Sequence, residues 1–108
     1  MIALSACLSA ALAIGAGAFG AHGVTDPKAV EWLRTGGMYQ LIHAVAAIAI
    51  MGVARGAAAL MLTGAAIFAL TLYAMALGGP KWLGAVTPIG GLLMIAGWLW
   101  AAWAFAQR

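Results

Sequence analysis

The chain has 108 residues, of which 67% are apolar, and it carries only five basic and two acidic side chains, for a net charge of +3. A soluble domain has roughly a quarter of its residues charged, so this composition excludes an ordinary soluble protein and indicates a lipid environment. The basic residues are scattered, which excludes a nucleic-acid-binding surface. The single cysteine, Cys7, excludes an internal disulfide and is most simply a small helix-packing residue.

Four long segments lack charged residues, and isolated charges separate them. A helix needs about 20 apolar residues to cross a hydrocarbon core, and its backbone groups must be satisfied locally inside lipid. The first segment lacks a basic n-region, so we expect a retained helix and not a cleaved signal peptide. The sequence therefore predicts one all-α membrane domain over residues 1–108, a four-transmembrane-helix antiparallel bundle with approximate spans 2–20, 38–53, 57–77 and 83–105.

The first predicted span carries small residues at every fourth position, so they form one smooth face of the helix. Lipid gives helices no hydrophobic reason to associate, and small residues allow the close approach that association needs. This face either packs within the bundle or forms a seam for a second copy or a partner, and both interpretations stay open. Its members are Ser5, Ser9, Ala13, Gly17 and Ala21.

The connection after the first span contains a helix start. Asp26 can cap a helix that has Pro27 at its first position. Residues 27–35 then predict a short amphipathic helix that lies along the membrane interface. We expect Gly36-Gly37 to break this helix before the second span begins. Arg55-Gly56 makes a tight turn, which pairs the second and third spans as an antiparallel hairpin.

The fourth predicted span follows a turn at Gly78-Gly79-Pro80 and contains Thr87-Pro88 one turn or more from its start. Pro88 removes one backbone hydrogen bond and Gly90-Gly91 follows, so we expect a bend or a locally opened turn there. Three tryptophans crowd the far end of this span and are typical of an aromatic belt at the membrane interface. They are Trp98, Trp100 and Trp103.

Uncommon polar residues collect towards one membrane face in this topology, because the ends of spans one and three and the starts of spans two and four share a side. They either hydrogen-bond one another and fix helix packing, or line a site for a proton, a metal or a small polar ligand. An ionisable residue inside a membrane raises the second hypothesis by default. The predicted polar cluster comprises His22, Tyr39, Gln40, His43, Thr71, Tyr73 and Thr87.

The predicted spans lack carboxylates, cysteine pairs and histidine pairs at helical spacing, and no catalytic motif is present. We therefore expect no enzyme activity, no metal and no cofactor. The expected function is a non-enzymatic accessory or packing subunit of a membrane complex, with the lipid bilayer and a homo-oligomer or larger complex as partners. The alternative is a small transporter or ligand-binding membrane protein that uses the predicted polar cluster.

Three motifs carry a family resemblance over nearly the whole chain. Gly17-Ala18-Phe19-Gly20-Ala21-His22 comes first, Tyr39-Gln40 with His43 second, and Thr87-Pro88-Ile89-Gly90-Gly91 third. In this order and spacing they resemble the hallmarks of domain-of-unknown-function family 423, the YgdD-like small inner-membrane proteins related to transmembrane protein 256. Helix-packing or backbone roles are expected for Gly17, Gly20, Pro88, Gly90 and Gly91.

The third span departs from the family, which often shows Ser-Gly-Ser-Leu-Tyr where this chain has Ala69-Leu70-Thr71-Leu72-Tyr73. Charge alone does not decide the topology, because two basic residues on the side of the N-terminus oppose three on the other side. The resemblance implies a bacterial inner-membrane location with both termini in the cytoplasm, which places the polar cluster near the periplasmic face. It implies no activity, because the role of the family is not established.

Overall fold

A computed structural model describes all 108 residues and is entirely helical, which confirms the predicted all-α class. Four-residue connections join the first three helices, so neighbouring helices run antiparallel. A five-residue 3-10 helix, Lys81–Ala85, precedes the last helix. The four long helices are α1 (Ile2–His22), α2 (Pro27–Ile50), α3 (Arg55–Ala76) and α4 (Thr87–Ala106).

Three stretches are long and apolar enough to cross a membrane: Ile2–His22, Arg55–Ala76 and Lys81–Ala106. Helix α2 is also long, with 24 residues, but its composition is less apolar. Its first turns carry three charged residues, and Gln40 and His43 lie farther along it. The structure therefore gives three candidate spans by composition, with α2 as a fourth long helix packed among them.

The predicted break at Gly36-Gly37 is wrong, because α2 runs without interruption through both glycines. An added Cβ would lie 2.8 Å from the Tyr73 ring at Gly36 and 3.1 Å from the Ala13 carbonyl oxygen at Gly37. Both glycines thus admit a neighbouring helix at close range. This packing offsets the cost of about 1 kcal/mol that a glycine imposes inside a helix.

The start of α2 has the Asp26 cap and the first-turn proline that the sequence predicts. The Ala29 backbone N–H donates to Asp26 Oδ2 over 3.3 Å, and Pro27 occupies the first turn. Residues 27–35, predicted as a separate helix, form the first turns of α2. The second helix also ends at Ile50, three residues before the predicted end of its span.

Helix α4 begins at Thr87 and not near residue 83 as predicted, because residues 81–85 form the 3-10 helix. Pro88 therefore lies in the first turn of α4 and not inside it. The missing N–H of a proline costs nothing there, since the first N–H groups of a helix have no acceptor within it. The predicted bend inside the last helix is corrected to a helix start.

The helices pack in chain order, α1 on α2, α2 on α3 and α3 on α4. Helix α1 meets α3 only over a short stretch, and α4 shares no comparable interface with α1 or α2. The helices therefore follow one another in a row that does not close, because α1 and α4 share no comparable interface, and the molecule measures 48 × 25 × 19 Å. Its main core consists mostly of alanines, with Met61 as the one large side chain that is fully buried. Such small contacts suit association in lipid.

Candidate functional site

Gln40 joins three helices in the middle of the row. Only 2% of this side chain is exposed. Tyr73 on α3 donates its hydroxyl to Gln40 Oε1 over 2.6 Å, and Gln40 Nε2 donates to Ser9 Oγ on α1 over 3.0 Å. Gly36, one turn earlier on α2, leaves the space in which the Tyr73 ring lies. The amide nitrogen and the amide oxygen of Gln40 are therefore both hydrogen-bonded to neighbouring helices.

His43 lies one turn farther along α2 and is also buried. Trp98 on α4 approaches its Nε2 at 3.0 Å, and the Tyr39 carbonyl oxygen approaches its Nδ1 at 2.7 Å. An indole N–H can only donate, so Nε2 accepts and the ring proton resides on Nδ1. Both ring nitrogens are therefore engaged within the protein, and neither is free for a metal in this arrangement.

Thr71 and Thr87 connect α3 to the start of α4, with their hydroxyl oxygens 2.6 Å apart. Thr71 also reaches the carbonyl oxygen of Ile67 at 2.8 Å, and Thr87 reaches that of Leu83 at 3.1 Å. A threonine hydroxyl that bonds the preceding turn of its own helix is already satisfied before any ligand arrives. This pair ties the two helices together beside Pro88.

The predicted polar cluster is therefore divided among separate connections, and His22 belongs to none of them. His22 is exposed in the last turn of α1. Tyr39 is 43% exposed, and its ring packs 5.0 Å from Phe68 and 6.3 Å from His43, centroid to centroid. Whether these residues bind a ligand stays a prediction, but the structure does not gather all seven around one cavity.

Every buried side-chain nitrogen and oxygen has a hydrogen-bond partner. No group of three or more His, Cys, Asp or Glu side chains is placed to hold a metal ion. The chemistry that this arrangement provides is helix connection: each polar group stabilises contacts between helices that lipid alone would not drive together.

Two members of these connections, Ser9 and Trp98, were not predicted from the sequence. Ser9 was grouped with the small residues of α1, and Trp98 with the interfacial aromatic belt. Trp98 lies eight residues before the end of α4, about 12 Å inside it at 1.5 Å per residue. That depth is the feature from which its role could have been predicted.

The glycines with predicted packing roles differ in their surroundings. At Gly20 an added Cβ would lie 3.0 Å from Leu33 Cβ, and at Gly90 it would collide with the Phe68 backbone nitrogen. At Gly17 nothing lies within 4 Å, and at Gly91 only the Phe68 ring is touched, at 4.0 Å. Gly20 and Gly90 are therefore the two that close helix approach requires.

Aromatic side chains line a recess that opens outward between α2, α3 and α4. Its volume is about 360 Å³, within the range of about 300–1,000 Å³ for small-molecule sites. Two residues of the predicted polar cluster contribute to it. The lining includes Tyr39, His43, Phe68, Met94 and Trp98.

A family model described as "Protein of unknown function (DUF423)" matches residues 16–91. A UPF0382 membrane protein of Staphylococcus haemolyticus is 40% identical over 100 residues, which cover 82% of this chain and 80% of that protein. A UPF0382 membrane protein of Schizosaccharomyces pombe is 36% identical over 108 residues, which cover 86% of this chain and 91% of that protein. A UPF0382 membrane protein of Haemophilus influenzae is 34% identical over 102 residues, which cover 85% of this chain and 82% of that protein. No solved structure matches the chain.

Proposed function

Because the chain belongs to the DUF423 family, whose relatives are named membrane proteins, we propose that it is a non-enzymatic accessory or packing subunit of a membrane complex. The observation that carries this proposal is the outer face of α1. Only three of the 21 residues of α1 are buried within the protein, against nine of the 22 residues of α3. Helix α1 is thus the least enclosed span and the one most open to a partner helix.

The open face of α1 differs from the row of small residues identified in the sequence. Ser9 and Ala13 from that row are used by α2, through Gln40 and Gly37. On the opposite side of α1 a second set of small residues is exposed, and an added Cβ at Gly15 would meet nothing within 4 Å. Helical spacing places this set on one side. We call Cys7, Ala11, Gly15 and Ala18 the outer α1 face.

We further propose that α2 crosses the bilayer with the three other helices. Its 24 residues measure about 36 Å at 1.5 Å per residue, more than a hydrocarbon core of about 30 Å. It packs along α1 and α3, both of which have the composition of spans. Lys28, Glu31 and Arg34 all lie in its first turns, which then project into the headgroup region.

For location and topology we propose a bacterial inner membrane with both termini in the cytoplasm, supported by the resemblance of the chain to its family. Arg55 and Arg108 then lie on the cytoplasmic side. A green fluorescent protein fused after Arg108 should fluoresce, and alkaline phosphatase fused there should be inactive. Active phosphatase with a dark fluorescent fusion would reverse the topology.

The packing role is tested by extracting the protein from native membranes in a mild detergent. The chain alone has a mass of 10.9 kDa, and we expect it to migrate in a larger assembly. Gly15→Leu adds bulk to the outer α1 face, where an added Cβ would meet nothing within 4 Å, and should release the monomer. Ala96→Leu, at an exposed position on α4, is the matched control and should leave the assembly intact.

Cys7 supplies a second measurement on the same face, because it is the only cysteine and is exposed. A thiol-reactive crosslinker added to membranes should join the chain to its neighbour through Cys7. Gly15→Leu should abolish this product and Ala96→Leu should not. A wild-type protein that is monomeric by both measurements would refute the packing role.

The alternative function, a ligand-binding protein or small transporter, is supported by the aromatic recess. Its rings suit a flat apolar molecule that enters from the lipid. Gly91→Leu would fill the recess, since a Cβ there contacts only the Phe68 ring. Small molecules that co-purify with the wild-type protein should then be absent from the variant, as measured by mass spectrometry of extracts. An identical set of molecules in both would exclude this function.

A further inference from the structure

Two lysines from separate elements line one recess at the end of the molecule where α3 finishes and α2 starts. Lys28 lies in the first turn of α2, and Lys81 is the first residue of the 3-10 helix. The recess has a volume of about 470 Å³. Trp32, Met75 and Gly84 complete its lining, which includes no carboxylate. The recess therefore concentrates two positive charges without a counter-ion from its own walls.

We propose that this recess binds the phosphate group of an anionic phospholipid at the membrane interface. Lys28 and Lys81 supply the positive charge that attracts the phosphate oxygens. Met75 and the Trp32 ring provide an apolar wall for the glycerol and the first carbons of an acyl chain. The site is independent of the packing role proposed for α1, because none of its residues belongs to that helix.

The geometry of the recess matches the depth of a headgroup. Met75 lies in the last turn of α3, which ends at Ala76, and Lys28 is the second residue of α2. Indole rings such as that of Trp32 are enriched at this level of a membrane. The Lys28 Nζ lies 5.9 Å from the centre of the Trp32 ring, so a cation–π contact holds one ammonium at the recess. The site is thus arranged on residues that the bilayer itself places at the interface.

A lipid phosphate is favoured over a soluble phosphate for two reasons. Surface charges are screened within about 8 Å at physiological ionic strength, which weakens the capture of a free anion by two lysines. A lipid is already confined to the plane of the recess, so its effective concentration there is high. Its apolar part also contacts a wall that an inorganic ion cannot use.

The test uses the full chain in nanodiscs that contain equal amounts of phosphatidylglycerol and phosphatidylcholine, followed by native mass spectrometry of retained lipids. The wild-type protein should retain phosphatidylglycerol preferentially. Each lysine near the surface contributes about fivefold in affinity for an anionic lipid, so Lys28→Gln with Lys81→Gln should reduce the preference more than tenfold. Arg55→Gln with Arg108→Gln removes the same amount of charge from the opposite end of the molecule and should preserve the preference for phosphatidylglycerol. An equal loss in both double variants would overturn the proposal.

A variant that fills the recess distinguishes the contribution of its volume to lipid binding from the contribution of its two lysine charges. An added Cβ at Gly84 would meet only Met75 Sδ, at 3.7 Å, so Gly84→Leu fills the recess and leaves both lysines in place. It should lose the preference as the double lysine variant does. Millimolar inorganic phosphate should not displace the lipid from the wild-type protein. Retained preference in Gly84→Leu, or full displacement by inorganic phosphate, would each refute a lipid site at this recess.

Discussion

Trp98 donates its indole N–H to His43 Nε2 over 3.0 Å, so a hydrogen bond links α4 to α2 although these helices share no extended interface. The two rings meet edge to face, at 69° and 5.9 Å between centroids. Helix α3 otherwise supplies nearly all the contacts that hold α4 to the row. This single polar connection therefore limits how far α4 can swing around α3.

Removing the His43–Trp98 hydrogen bond should lower the free energy of unfolding by about 0.6–1.7 kcal/mol, between the average and the largest values for such bonds in membrane proteins. Trp98→Phe keeps an aromatic ring and loses the N–H donor, while His43→Ala loses the acceptor. Unfolding in mixed micelles, measured for both single variants and the double variant, should yield a coupling energy in that range. Trp103→Phe is the control, since the exposed Trp103 makes no hydrogen bond to His43. Fully additive losses would contradict this link between the helices.

The Gln40 junction should be the most sensitive polar position in the chain. Gln40→Leu leaves the Tyr73 hydroxyl and the Ser9 hydroxyl without their partner, and an orphaned buried group costs about 1–3 kcal/mol. We expect Gln40→Leu to lower the free energy of unfolding by that amount and to exceed the effect of Tyr73→Phe. Gln107→Leu makes the same chemical change at an exposed terminal position and should have no effect. A Gln40→Leu protein as stable as the wild type would refute the junction.

The apolar segments alone sufficed to predict the helical class, because long uncharged stretches have no other stable form in lipid. Local rules failed where a neighbouring helix decided the outcome. Gly36-Gly37 looked like a break from composition, yet the glycines lie where Tyr73 and the Ala13 backbone approach α2. No property of residues 27–37 by themselves contains that information.

The candidate site was predictable in its composition and not in its connections. Gln40, Tyr73 and His43 were all selected from the sequence as uncommon polar residues in apolar surroundings. Their partners Ser9 and Trp98 were not, because either residue also has an ordinary role in a membrane helix. Pairing across 31 or 55 positions of the chain follows from how the helices are arranged, which a single sequence does not specify.

Two adjacent glycines on α4 should respond very differently to alanine. A Cβ at Gly90 would collide with the Phe68 backbone nitrogen and approach the Gly64 carbonyl oxygen at 2.5 Å, whereas at Gly91 it would touch only the Phe68 ring. Gly90→Ala should therefore push α4 from α3 and cost about 1–3 kcal/mol. Gly91→Ala should be neutral or stabilise by up to about 1 kcal/mol through reduced freedom of the unfolded chain. Thermal unfolding of the two variants in detergent compares them directly, and equal stabilities would contradict the close contact.

Pro88 should be dispensable for helix geometry, because it lies in the first turn of α4 and is exposed. Pro88→Ala should change the free energy of unfolding by no more than about 1 kcal/mol, since no internal hydrogen bond is restored. Ala96→Pro is the matched comparison in the middle of α4, where the proline ring clashes with the preceding turn and costs about 3 kcal/mol. Unfolding in mixed micelles and the helical circular dichroism signal check both variants. A large gain in helicity with Pro88→Ala would instead show that Pro88 interrupts a longer helix, which would restore the bend expected from the sequence.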